Sequence, residues 1–72
     1  MAIKYEIKKQ LGAISTSDNG WIKELNLVSW NDREAVYDLR TWSADHEGMR
    51  KGITLSADEI KKLRDLLNTI EL

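Results

Sequence analysis

Val36-Tyr37-Asp38-Leu39-Arg40-Thr41-Trp42, read with Lys51-Gly52-Ile53-Thr54-Leu55-Ser56, decides the fold. The first run alternates as a strand does. Side chains two apart share a side, so Tyr37 and Leu39 lie on one side and Arg40 and Trp42 on the other. The second run is a short strand that passes into a helix at Ser56. A sheet whose open side displays tryptophan and arginine is therefore the expectation around which the rest of the chain is read.

Beyond Ser56 the signal is strong. Ser56-Ala57-Asp58-Glu59 is a capping box, with serine at the cap and glutamate three residues on. Asp58 and Glu59 also suit the positive end of the helix dipole. Ile60, Leu63, Leu66, Leu67 and Ile70 then form one apolar stripe, which predicts a helix to about Ile70. Before Val36, residues 3–15 read as a first strand through Ile3, Tyr5, Ile7, Leu11 and Ala13. A bulge or bend is expected near Gly12, where the alternation breaks. Ser15 to Gly20 is a turn ending in Asn-Gly. Trp21 to Trp30 is a second strand, with Leu25 and Leu27 on one side and Asn26, Val28 and Trp30 on the other. Asn31 to Glu34 and Ser43 to Arg50 are polar loops, and Lys51 to Leu55 is the fourth strand.

Four consecutive strands with short loops, then one helix, give an α+β fold. It is a four-stranded antiparallel meander followed by one C-terminal helix (ββββα). Leu25/Leu27, Tyr37/Leu39 and Ile53/Leu55 are expected to meet the helix stripe. Asn26, Val28, Trp30, Arg40 and Trp42 are expected to stay uncovered.

At 72 residues the chain makes one domain. It has no cysteine, so no disulfide or thiolate-bound metal can reinforce a small core, and oligomerisation is the remaining common device. The net charge of −1 gives no general pull toward polyanions. Residues 1–52 carry eight basic and eight acidic side chains, so a basic patch must come from arrangement. With no apolar leader and no membrane-length run, the expectation is a soluble cytoplasmic protein, nucleoid-associated if it binds DNA.

Asp38 to Trp42, Lys51 to Ser56, the loop between them and the following helix resemble the positive-cofactor-four family of single-stranded-DNA-binding transcriptional coactivators. The run Trp21…Lys23-Glu24-Leu25-Asn26…Val28-Ser29-Trp30-Asn31 is similar to its small bacterial members of the YdbC type. The resemblance covers residues from about 4 to 70. It implies a homodimer joined through helix and sheet edge, with residues 1–72 as one single-stranded-DNA-binding domain. It implies that Trp30 and Trp42 stack on bases and that Arg40, Lys51 and Lys23 meet phosphates. Eukaryotic members have one more residue between arginine and tryptophan, and more basic residues on these strands.

Each of these residues also has a structural reading. Trp30 and Trp42 could fill a core. Arg40 could pair with Glu24 or Asp38, and Lys51 could be a solvated loop lysine. Asn26 could read a base edge or bond a neighbouring strand. Trp21, after Asn-Gly, reads as a turn anchor. His46 between Asp45 and Glu47 is a weak metal motif, and no metal or other cofactor is expected. No nucleophile–base pairing or phosphate loop is present at usable spacing, so no enzyme is expected. The favoured reading is non-specific binding of single-stranded DNA, serving transcription regulation, replication or repair. RNA is not separated from DNA, since that choice turns on a 2′-hydroxyl contact. The rival is a protein-interaction module whose tryptophan-bearing side docks a partner.

Overall fold

The computed structural model describes residues 4–72, so the expectation for Ile3 lies outside the described residues. Strands β1 (Tyr5–Thr16), β2 (Ile22–Trp30), β3 (Val36–Trp42) and β4 (Ile53–Leu55) precede helix α1 (Ala57–Leu67). The strands form one antiparallel sheet in the order β1-β2-β3-β4, the meander expected from the sequence. A bridge between Trp42 and Met49, with Arg50 N–H donating to Thr41 O at 2.9 Å, folds the third loop back along β3.

The two long strands are unequal. Twelve residues of β1 run beside nine of β2, and the surplus is absorbed by register shifts at Ile7/Lys9, Gln10/Gly12 and Ala13/Ser15. The break expected near Gly12 is therefore one of three. Each bulge adds twist and bends the strand that carries it. The curvature that results is large. Tyr5 pairs with Trp30 at one end of β2, whereas Trp42 pairs with Ile22 at the other. Eight residues of extended strand span about 26 Å. Yet the rings of Tyr5 and Trp42 lie 5.3 Å apart, and Tyr5 Oη donates to His46 O at 2.6 Å. The sheet is coiled until its opposite corners meet.

This coiling corrects the sequence reading of the core. The side carrying Asn26, Val28, Arg40 and Trp42 is the concave interior, not an open face. Val28 and Trp42 are fully buried, as are Asn26 and Asp38. On the other side Leu25, Leu27, Tyr37 and Leu39 are only half-buried, and Ile53 is 55% exposed. Parity in the sequence had sorted the side chains correctly into two sets. What it could not show is which set the bulges would curl inward.

The α1 helix begins as expected. Ser56 Oγ accepts the Glu59 N–H at 3.2 Å, and Glu59 Oε1 accepts the Ser56 N–H at 2.8 Å. It ends at Leu67, three residues before Ile70. There Thr69 N–H and Ile70 N–H bond back to Leu66 O and Leu67 O in tighter turns. Thr69 Oγ1 also donates to Leu66 O at 2.7 Å, competing with further helix. The helix touches only β3 and β4 and contains no buried residue. Gly52 is where β3 and the segment entering β4 come closest. A Cβ there would overlap Arg40 Cβ and the Leu39 carbonyl oxygen, so a side chain at 52 would push the two apart.

Candidate nucleic-acid interface

The interior of the coiled sheet is aromatic and charged. Tyr5 packs tilted against both Trp30 (5.8 Å between ring centres) and Trp42 (5.3 Å), and His46 covers Trp42 at 5.8 Å. His46 Nε2 lies 3.0 Å from both Glu24 carboxylate oxygens, and Asn26 Nδ2 donates to Glu24 Oε1 at 3.0 Å. The Asn26 Oδ1 and the indole N–H groups of Trp30 and Trp42 are buried without a partner among the described residues.

Arg40 sits where this interior reaches the rim. Its Nε donates to Asp38 Oδ1 at 2.6 Å, and its Nη2 lies 2.6 Å from Asp38 Oδ2. Asp38 is the same-strand neighbour two residues away, on the same side, and its carboxylate is fully buried while the arginine side chain keeps 13% exposure. The guanidinium is thereby fixed over the Trp30 ring, 4.7 Å from its centre, a cation–π stack. Of the two ion pairs open in the sequence, the structure takes Asp38. Glu24, directly across on β2, goes to His46 instead.

The other candidates are distributed unevenly. Trp30 is half-buried at the rim. Trp42 has no accessible surface, which corrects the expectation that both indoles lie open: the loop from Ser43 to Arg50 folds over it. That loop is tied by Ser43 N–H to Gly48 O at 2.9 Å and by Gly48 N–H to Ser43 Oγ at 2.8 Å. Asn26 is fully buried and donates to Glu24 two residues back on its own strand, not to a neighbouring strand. Lys23 is exposed but pairs with Thr41 on the opposite side of the sheet from Arg40. Lys51 is exposed beside β3, next to Gly52, and has no carboxylate partner among the described residues. The structure thus brings Trp30 and Arg40 together, buries Trp42 and Asn26 beneath, sets Lys23 apart, and leaves Lys51 exposed next to Gly52.

His46 does not gather its sequence neighbours Asp45 and Glu47. The Ser43 hydroxyl, and then the Glu47 N–H, bond the Asp45 carboxylate and hold its pKa below the ordinary value. No cluster of three metal-ligating side chains occurs among the described residues. Trp21, read as a turn anchor, lies under the Arg50 guanidinium at 4.5 Å and carries its N–H to Ser17 Oγ at 3.1 Å.

A cavity of about 240 Å³ opens beside Trp30, lined by Trp30, Arg33, Glu34, Val36 and Thr54. Arg33 and Glu34 were read as loop residues only, and the one sequence signal for them was their position directly after the strand bearing Trp30. The loop that carries them is well tied. Asn31 and Asp32 both take positive φ, and Arg33 N–H closes the turn on Trp30 O at 3.0 Å. Ser29 Oγ donates to Arg33 O at 2.6 Å, and Lys4 Nζ meets Asp32 Oδ2 at 2.7 Å.

The site is thus a curved antiparallel sheet with an arginine-capped tryptophan on its rim and one trailing helix. Comparison with known proteins gives the family. The family model described as transcriptional coactivator p15 (PC4) matches residues 17–66, and the chain belongs to that family. An uncharacterized protein of Treponema pallidum (strain Nichols) is 52% identical over 68 residues, covering 94% of this chain and 80% of that protein. No helix among the described residues is long and apolar enough to cross a membrane.

Proposed function

We propose that this chain binds single-stranded DNA with little sequence specificity, as a small member of its family of the YdbC type. Bases stack against Trp30, while Arg40, Lys51 and, from the far side, Lys23 draw the phosphates. Trp42 supports this rim from below and meets a base only when the loop from Ser43 to Arg50 lifts. The observation that carries the reading is the Asp38–Arg40–Trp30 stack. It sets a cation on one face of an aromatic ring, so that a base on the rest of the ring and its phosphate would both find a partner, before any ligand arrives. Stacking on an aromatic contributes roughly 1–3 kcal/mol per base, whatever the base. Family membership supports the same ligand and a coactivator-like role in transcription.

The proposed form is a homodimer. Leu63, Leu66, Leu67 and Ile70 on the helix side are exposed together with Ile53, and a second copy of this surface would cover them. The intrinsic tryptophans supply the test of DNA binding. A thymine oligonucleotide of about 20 bases should quench their emission, and added salt should weaken the effect with a slope near 0.7 per phosphate contact. A duplex of equal length should do neither. Indifference to both would overturn the proposal and point to a protein ligand.

A further inference from the structure

Resting on that reading, we propose that the cavity beside Trp30 is a slot for one nucleobase that prefers guanine, with Glu34 reading its edge and Arg33 holding the adjoining phosphate. Four observations carry this. The first is size. About 240 Å³ lies below the roughly 300–1,000 Å³ of pockets that enclose drug-sized ligands, so the space suits one planar heterocycle rather than a length of chain.

The second is the state of the Trp30 ring. One of its faces already carries the Arg40 guanidinium, and Arg40 is not among the cavity walls. Tyr5 packs tilted on the same ring, so the aromatic surface left to a base is the part that lines the cavity.

The third is donor and acceptor chemistry. A carboxylate only accepts hydrogen bonds, and a threonine hydroxyl does either. Guanine is the one base whose pairing edge offers two adjacent N–H donors, which match the two oxygens of Glu34. Thymine offers one donor flanked by carbonyls, which the carboxylate repels. Adenine and cytosine each set a ring-nitrogen acceptor beside their amino group.

The fourth is rigidity. Arg33 and Glu34 follow a turn closed by Arg33 N–H to Trp30 O and held by Ser29 Oγ and Lys4 Nζ, so the backbone that carries the reading groups is set without ligand. Arg33 has no ion-pair partner among the described residues, which leaves its guanidinium for a phosphate.

The test compares repeating thymine–guanine, thymine–cytosine and all-thymine oligonucleotides of about 20 bases, by fluorescence anisotropy, on the wild type, Glu34→Gln and Arg33→Ala. The wild type should bind the guanine repeat about fivefold more tightly than the other two, the low end of bidentate discrimination because water reaches both groups. Glu34→Gln should bring that ratio to about one, because an amide neither accepts from both guanine donors nor repels the carbonyls of thymine. Arg33→Ala should weaken all three and leave the ratio intact. Equal wild-type affinities, or a preference that survives Glu34→Gln, would overturn the slot alone. Failure to bind any of the three would overturn the single-strand reading on which it rests. Glu34 and Arg33 are both exposed, so neither variant threatens the fold.

Discussion

The two sides of this sheet reverse the usual arrangement. The concave side holds two carboxylates, an asparagine, an arginine and three aromatic rings, and it is the buried one. The convex side and α1 hold leucine and isoleucine, and in the single chain much of that surface meets solvent. The carboxylates of that interior are tolerated because they are partnered: Asp38 with Arg40, and Glu24 with both His46 and Asn26. The apolar exterior has no such compensation among the described residues. Curvature alone can therefore enclose a polar interior in a small sheet while the apolar side stays in contact with solvent.

The strongest challenge to this contrast is Trp42→Ala. If the concave side is the folding core, removing its largest fully buried side chain should destabilise by roughly 3–5 kcal/mol, read as a shift in the urea midpoint. A loss under about 1 kcal/mol, with oligonucleotide binding abolished, would return Trp42 to the role of an open stacking platform. Asp38→Ala should come next, at about 2–3 kcal/mol. That is below the range for a fully buried pair, because Arg40 keeps some contact with water. The same variant removes the carboxylate that holds Arg40 over Trp30, so its DNA affinity should fall as well.

Leu66→Asp bears on the convex side. It should halve the mass seen by analytical ultracentrifugation and leave the secondary structure of the monomer in place, since Leu66 is already half exposed. An unchanged mass would mean the helix stripe is not where two copies meet.

The smallest expected effect is at Asp45, whose carboxyl is held below its ordinary pKa by the Ser43 hydroxyl. The sign follows from linkage. A depressed folded pKa contributes stability above the unfolded value, and that contribution is lost as pH falls through the folded value. Acidification from about pH 5 to about pH 3 should therefore lower the melting temperature of the wild type slightly more than that of Asp45→Asn. Equal losses would show that the loop over Trp42 does not depend on this bond.

Much of the fold was legible in the sequence because its signals are local. Asn-Gly, the capping box and the alternation of β3 each act over a few residues, and all appear where expected. The site was legible in part. Arg40 could be placed beside Asp38, since two residues on a strand share a side. The neighbours of Trp30 could be named only as loop residues, because Arg33 and Glu34 line a cavity completed by Thr54 from β4. Glu24 and His46 carry no mark of their pairing, being 22 residues apart with a strand and two loops between.

The sequence by itself determined the order of the elements, the two sets of side chains and the helix start, because each follows from periodicity or from a cap. Only the tertiary structure decided which set is inside. Three bulges give β1 a surplus of chain over β2, the sheet coils, and Tyr5 closes on His46 across 41 residues of sequence. Curvature of that kind is a sum over the whole sheet, and no short stretch of residues encodes it.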